Sequence, residues 1–118
     1  MSTVFSFSDD TIGFIIEGVV DDKTIENLKE SLALKLKEYN SINLYLEDSG
    51  IEKFRLQSVV TRALFPLENS NSFGKVAMVS DRRWIHLLSS FNNLFTQCEI
   101  RCYTSENRIE AMSWIASK

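Results

Sequence analysis

The sequence predicts one α/β domain, residues 1–118, built on a five-stranded, mixed and mostly parallel sheet with four helices. Runs with the alternation of β-strands are followed in turn by runs with helical periodicity, which gives the order β-β-α-β-α-β-α-β-α. The run KVAMVS, residues 75–80, is almost continuously apolar, as is typical of a central parallel strand covered on both faces. No linker-like stretch divides the chain, so we expect a single core.

The first elements are a hairpin and a helix. VFSF (4–7) and IGFIIEG (12–18) are rich in β-forming residues and are separated by SDDT, so we expect the first strand to be antiparallel at a sheet edge. The segment 21–40 carries one apolar stripe and predicts an amphipathic helix with Asp22 as its N-cap. The stripe consists of Ile25, Leu28, Leu32 and Leu36.

The middle of the chain predicts two further strand–helix pairs. SINLYLED (41–48) alternates apolar and polar residues, which is typical of a strand, and 51–65 predicts a helix that ends at Pro66. The strand 75–80 leads into a predicted helix over 81–95. The apolar stripe of that helix consists of Trp84, Leu88, Phe91 and Phe95.

The last pair is the strand CEIRCY (98–103) and a helix over 105–118 that we expect Ser105 to cap. The stripe of this helix consists of Ile109, Met112, Ile115 and Ala116. We expect four residues to be largely buried and one to be exposed: Trp84, Leu88, Ile109 and Met112 in the core, and His86 at the surface.

Two strands, 41–48 and 98–103, are apolar on one side and polar on the other. We therefore expect the helices to pack mainly on one face of the sheet and to leave the other face partly open. Tyr45, Arg101 and Tyr103 belong to the open side and are candidate partner-binding residues. A homodimer formed through this face is one alternative.

Net charge and the length of the apolar runs indicate which classes of partner to expect. The formal net charge of −3 provides no basic field for nucleic acid, so we predict none as a partner. The start MSTVFSFSDD does not resemble a signal peptide, and no apolar run reaches the roughly 20 residues that span a bilayer. We therefore expect a cytoplasmic protein without a transmembrane segment, and we leave peripheral membrane contact open.

The sequence predicts neither a metal site nor a cofactor nor catalytic residues. Cys98 and Cys102 would lie about 13 Å apart on a strand, too far for a disulfide, and are expected to be small buried hydrophobic residues. His86 is the single histidine and has no neighbouring ligand. Glycine-rich phosphate loops and hydrolase motifs do not occur, so we predict that the protein is not an enzyme.

The arginine pair in SDRRW (80–84) is a candidate binding site. Ligands of parallel α/β sheets collect beyond the carboxyl ends of the strands, where Arg82 and Arg83 would lie. Two cations in the first turn of a helix oppose its dipole, and an anionic ligand or an acidic partner would offset that cost. In the alternative interpretation, Asp81 caps the helix and both guanidinium groups are solvated.

Three segments carry a resemblance to a known family: GFIIEGVVDDKTIENL (13–28), VAMVSDRRW (76–84) and EAMSWI (110–115). Together they resemble the SpoIIAA-like family, small bacterial proteins with the STAS fold. That fold is related to the anti-sigma-factor antagonists and has been compared with the lipid-binding CRAL-TRIO domains. The resemblance implies a single STAS-like domain and no catalytic residues to transfer.

The segment EDSG (47–50) contains a candidate phosphorylation site. Antagonists of the STAS fold carry an Asp-Ser-Ser-Gly-like turn whose serine is phosphorylated, and this chain has Asp48, Ser49 and Gly50 but lacks the second serine. Ser49 is therefore a candidate site, where a phosphate before a helix would gain backbone N–H groups. The alternative is that Asp48 and Ser49 cap that helix.

From these observations we expect a protein-interaction or regulatory module in the bacterial cytoplasm. The alternative is a carrier or sensor of a small apolar or anionic, lipid-like ligand bound between helices and sheet.

Overall fold

The computed structural model describes residues 2–18, 21–51, 73–81 and 99–117. It contains the strands β1 (Ser2–Ser8), β2 (Thr11–Gly18), β3 (Ile42–Ile51), β4 (Phe73–Val79) and β5 (Glu99–Tyr103). The helices are α1 (Asp22–Glu38), a 3₁₀ turn (Ser105–Asn107) and α2 (Arg108–Ala116). The predicted helices over 51–65 and 81–95 lie outside the described residues, apart from Ile51 and Asp81.

Within the described residues the strands form one sheet of five, in the order β1-β2-β3-β4-β5. β1 is antiparallel to β2, and the other neighbouring pairs are parallel. The predicted α/β fold with a largely parallel sheet is therefore confirmed.

The first face of the sheet carries the larger apolar core and is covered by α1. The predicted stripe of α1 supplies Ile25, Leu28 and Leu32, which are buried, and Leu36, which is partly buried. The sheet supplies alternate residues of three strands: Ile12, Phe14, Ile16, Ile42, Leu44, Leu46, Val76 and Met78. Each fully buried aliphatic side chain contributes about 1.5–3 kcal/mol, so α1 is held mainly by this stripe.

The second face is covered by α2. Tyr45 of β3 and Ala77 and Val79 of β4 pack against Ala111 and Ile115, and all five side chains are fully buried. α1 and α2 thus lie on opposite faces, and the expectation of an open face is wrong around Tyr45. Tyr45 and Glu47 of β3 can be buried beneath α2 because the Tyr45 hydroxyl donates a hydrogen bond to the Glu47 carboxylate.

The N-cap of α1 is Asp21, one residue before the predicted Asp22. Its Oδ1 accepts hydrogen bonds from the Thr24 backbone N–H (2.9 Å) and the Thr24 hydroxyl (2.8 Å). These bonds favour the ionised form and lower the pKa of Asp21. Asp22 is the first helical residue, where an acidic side chain suits the helix dipole.

The last helix begins later than predicted. Ser105 opens a 3₁₀ turn and does not cap α2, whose N-cap is Asn107. Ile109 is 69% exposed, so its predicted burial is wrong, and Met112 is only half-buried. Ile115 of the predicted stripe is buried, together with Ala111, which the stripe did not include, because the contact with the sheet sets the phase of the helix. The expectations for Trp84, His86 and Leu88 fall outside the described residues.

Candidate functional site

The carboxyl ends of β3 and β4 are joined by Asp48. Its Oδ1 accepts a hydrogen bond from the Gly50 N–H (3.1 Å), and its Oδ2 accepts one from the Ser80 hydroxyl (3.2 Å). Gly50 has a φ of +98°, a conformation that side-chain-bearing residues rarely adopt. Ser49 lies between Asp48 and Gly50 and is exposed. The arrangement therefore presents the Ser49 hydroxyl from an anchored strand end.

β3 is longer than predicted, so Ser49 lies within a strand and not directly before a helix. The strand continues to Ile51, so Asp48 and Ser49 belong to a strand, and the predicted helix does not begin at residue 51. The Asp48 side chain bonds inside this strand and to β4, which the capping interpretation did not anticipate.

A second carboxylate joins the end of β4 to the segment before α2. Asp81 accepts hydrogen bonds from the Ser105 backbone N–H (2.8 Å) and the Ser105 hydroxyl (2.6 Å). These bonds lower the pKa of Asp81. The adjacent Ser80 N–H donates to the carbonyl of Tyr103 at 3.0 Å. The ends of β3, β4 and β5 are thus tied together by short polar side chains and backbone groups.

A buried polar cluster lies beneath α2. The Tyr45 hydroxyl donates to Oε1 of Glu47, and the same oxygen lies 3.0 Å from Nη2 of Arg108. Burial, followed by the bond to Glu47, raises the pKa of Tyr45. Tyr45 therefore stabilises the interior and does not form a surface contact. The pairing with Arg108 was not predicted from the sequence, although Tyr45 and Glu47, two residues apart on β3, share one face of the strand.

Arg101 and Tyr103 lie on β5 beside α2. The Arg101 guanidinium stacks 4.6 Å from the ring centroid of Trp114, and its Nη2 lies 3.1 Å from Oε2 of Glu99. The Tyr103 ring lies 6.5 Å from the Trp114 ring, centroid to centroid. These residues form one wall of a groove of about 710 Å³ between β5 and α2, which Glu110 also lines.

Lys75 holds the other end of α2. Its Nζ donates to the carbonyls of Trp114 (3.2 Å) and Ser117 (2.7 Å), which end the helix. A cation at the carboxyl end of a helix is favoured by the helix dipole. The ammonium also lies 5.4 Å from the centroid of the Trp114 ring. Lys75 and Arg108 therefore anchor α2 to the sheet at its two ends.

Cys102 has the character of a structural thiol. It is free, packs partly buried against the first core, and burial raises its pKa to about 11. Among the residues that the structure describes, no group of three or more His, Cys, Asp or Glu side chains is placed to hold a metal ion. No helix in that part of the chain is long and apolar enough to cross a bilayer.

Almost the whole chain matches one known protein family. The SpoIIAA-like family model matches residues 11–116. This chain belongs to the SpoIIAA-like family. No sequence among curated proteins matches it significantly.

Solved structures of SpoIIAA share the fold of this SpoIIAA-like chain. The anti-sigma factor antagonist SpoIIAA in its unphosphorylated form has a TM-score of 0.64 and 11% identity, with 96% of this chain and 98% of that chain covered. The Bacillus cell fate determinant SpoIIAA in the phosphorylated form has a TM-score of 0.58 and 10% identity, with coverage of 95% and 99%. The resemblance at this identity concerns the fold.

The predicted site residues of this SpoIIAA-like domain do not form one site, since those that the structure describes lie in different parts of the fold. Ser49 lies at the carboxyl end of β3, whereas Arg101 and Tyr103 lie beside α2. Tyr45 is buried. Arg82 and Arg83 lie outside the described residues, directly after Asp81 in the sequence.

Proposed function

We propose that this SpoIIAA-like chain is a non-enzymatic regulatory module of the bacterial cytoplasm that binds a protein partner through the carboxyl edge around Ser49. The observation that carries the proposal is the exposed Ser49, which follows the anchored Asp48 and precedes a glycine with positive φ. A hydroxyl on a fixed strand end is accessible to a partner and to modification without any rearrangement of the core.

The similar structures support the class of partner. SpoIIAA is an anti-sigma factor antagonist, and it has been solved in unphosphorylated and phosphorylated forms. We therefore propose an anti-sigma factor as the partner of this chain. Shared fold and family membership support the choice, and the position of Ser49 supplies the contact residue.

A change of charge at the carboxyl edge would regulate partner binding. Asp48 and Asp81 already bring two carboxylates to the ends of β3 and β4. A phosphate on Ser49 would add a charge of about −1.5 to −2 beside them and would weaken the approach of an acidic surface. Arg82 and Arg83, which follow Asp81, are proposed to provide the balancing positive charge for an anionic group of the partner.

The test is isothermal titration calorimetry of the purified chain against the anti-sigma factors encoded in the same genome. We expect one of them to bind, Ser49→Ala to keep binding, and Ser49→Asp to weaken it about tenfold, which corresponds to ~1.4 kcal/mol. Ser41→Asp is the matched control, since Ser41 is exposed just before the opposite end of the same strand. Equal losses in S49D and S41D, or no binding by any anti-sigma factor, would contradict the proposal.

The alternative function, a carrier of a small apolar or anionic ligand, stays a prediction. Such a ligand would lie between helices and sheet, and the predicted helices over 51–65 and 81–95 lie outside the described residues.

A further inference from the structure

β5 is paired on one side only within the described residues. It pairs in parallel with β4, and the Tyr103 carbonyl accepts its hydrogen bond from the Ser80 N–H. Because the backbone groups of consecutive strand residues point to alternate sides, Ile100 and Cys102 direct their N–H and C=O groups away from β4. In the part of the chain that the structure describes, these backbone donors and acceptors lie at the outer edge of the sheet.

The side chains that flank Ile100 carry opposite charges. Glu99 and Arg101 are both exposed, with side chains about half accessible at 56% and 52%. They form an ion pair within the strand, with Nη2 and Oε2 3.1 Å apart. Glu99 and Arg101 lie one residue to each side of Ile100. When two copies of this strand run antiparallel, the negative residue of one copy can therefore lie opposite the positive residue of the other.

We propose that a second copy of this chain pairs with β5, antiparallel, about a two-fold axis at Ile100. In this register Ile100 of each copy donates and accepts one hydrogen bond with Ile100 of the other. Glu99 of each copy then lies opposite Arg101 of the other, at non-hydrogen-bonded positions where cross-strand side chains approach most closely. The dimer would contain one continuous sheet.

The neighbouring register is disfavoured by the charges of the same residues. An axis at Arg101 would place two guanidinium groups directly opposite each other, which is destabilising. The backbone could pair in that register, through Ile100 of one copy and Cys102 of the other, so the charges alone disfavour it. Of the axes at Ile100, Arg101 and Cys102, only the axis at Ile100 places each Glu99 opposite an Arg101 of the other copy.

The groove beside β5 extends the surface that a second copy would cover. A two-fold axis perpendicular to the sheet keeps the two α2 helices on the same face, so the grooves of about 710 Å³ become neighbours. Arg101, Tyr103 and Trp114 line each groove, and these residue types are enriched among energetically dominant interface residues. This surface is distinct from the carboxyl edge around Ser49, so the inference goes beyond the proposed function.

Sedimentation equilibrium over a range of concentrations tests the proposal. We expect the chain of 13.6 kDa to associate to twice that mass. Glu99→Arg alone and Arg101→Glu alone each place like charges opposite each other on both sides of the axis, and we expect the dissociation constant to rise about tenfold or more. The double variant E99R/R101E restores opposite charges, so it should dimerise as the unmodified chain does.

A charge reversal elsewhere provides the matched control. Glu26 and Lys29 form a comparable exposed pair on α1, 3.7 Å apart, and Glu26→Lys should leave the dissociation constant unchanged. Circular dichroism melts confirm that each variant folds. A single-chain mass at all concentrations, a double variant that fails to recover dimerisation although folded, or an equal effect of E26K would overturn the proposal. The titrations with anti-sigma factors test the Ser49 edge separately, so the dimer and the proposed function can each be refuted without the other.

Discussion

Arg108, the first residue of α2, places its Nη2 3.0 Å from Oε1 of Glu47 in β3. The Glu47 side chain is only 6% exposed, and its Oε1 also accepts the hydrogen bond of Tyr45. A carboxylate in this setting requires a cation, because an unpaired charge inside a protein is costly. The ion pair therefore fixes the start of α2 on the second face of the sheet.

Removing the cation should destabilise the protein. Arg108→Ala leaves the Glu47 carboxylate with fewer partners, and we expect a loss of about 1–3 kcal/mol, below the range for fully buried pairs because the Arg108 side chain is 42% exposed. Urea unfolding measures the change. Lys29→Ala breaks an exposed ion pair and should cost less than about 1 kcal/mol. Equal stability of the two variants would refute a structural role for Glu47–Arg108.

The other end of α2 gives a second prediction. Lys75→Met keeps an aliphatic stem but removes the bonds to the Trp114 and Ser117 carbonyls, so we expect a loss of about 0.5–1.5 kcal/mol. Hydrogen exchange of the last turn should accelerate more than that of α1. Unchanged exchange at the end of α2 would show that Lys75 does not hold the helix.

The sequence predicted well the elements whose burial is periodic and apolar. The stripe of α1 and the alternation of β3 placed Ile25, Leu28 and Leu44 on apolar faces, because an apolar side chain at regular spacing has one favourable face. The hairpin that makes β1 antiparallel follows from the short polar link between two β-rich runs.

The position of α2 was harder to predict because polar contacts and a small residue determine it. Ala111 packs against the sheet while the larger Ile109 is exposed, and the ends of the helix are anchored by Arg108 and Lys75. Such anchors join residues far apart in the chain, so local periodicity does not report them. The length of β3 was missed for a similar reason, since its polar end is tied to Ser80.

Acid should weaken the contact between β4 and the segment before α2. The hydrogen bonds from Ser105 hold the pKa of Asp81 below its ordinary value near 3.8. A lowered folded pKa contributes stability that is present above the unfolded pKa and is lost as the pH falls through the folded pKa. We expect Asp81→Asn to reduce the urea midpoint at neutral pH and to flatten its decline below about pH 4. Parallel pH profiles for both proteins would contradict this.

The thiol of Cys102 should be poorly reactive. Burial raises its pKa to about 11, so little thiolate forms at pH 8. In the Cys98→Ser variant, we expect native protein to react with a thiol reagent much more slowly than urea-unfolded protein, and the native rate to increase steeply as the pH approaches 11. Similar native and unfolded rates at pH 8 would show that Cys102 is accessible and ionised.

Binding of a regulatory protein at the carboxyl edge of the sheet is the core of the proposed function. Its most direct measurement is the titration of the ¹⁵N-labelled chain with the anti-sigma factor that binds it, followed by amide chemical shifts. We predict the largest changes at Ser49, Gly50, Asp81 and Ser105, which end β3 and β4 or precede α2. Shift changes confined to α1 with none at this edge, or an unchanged spectrum with every anti-sigma factor, would contradict binding at the carboxyl edge.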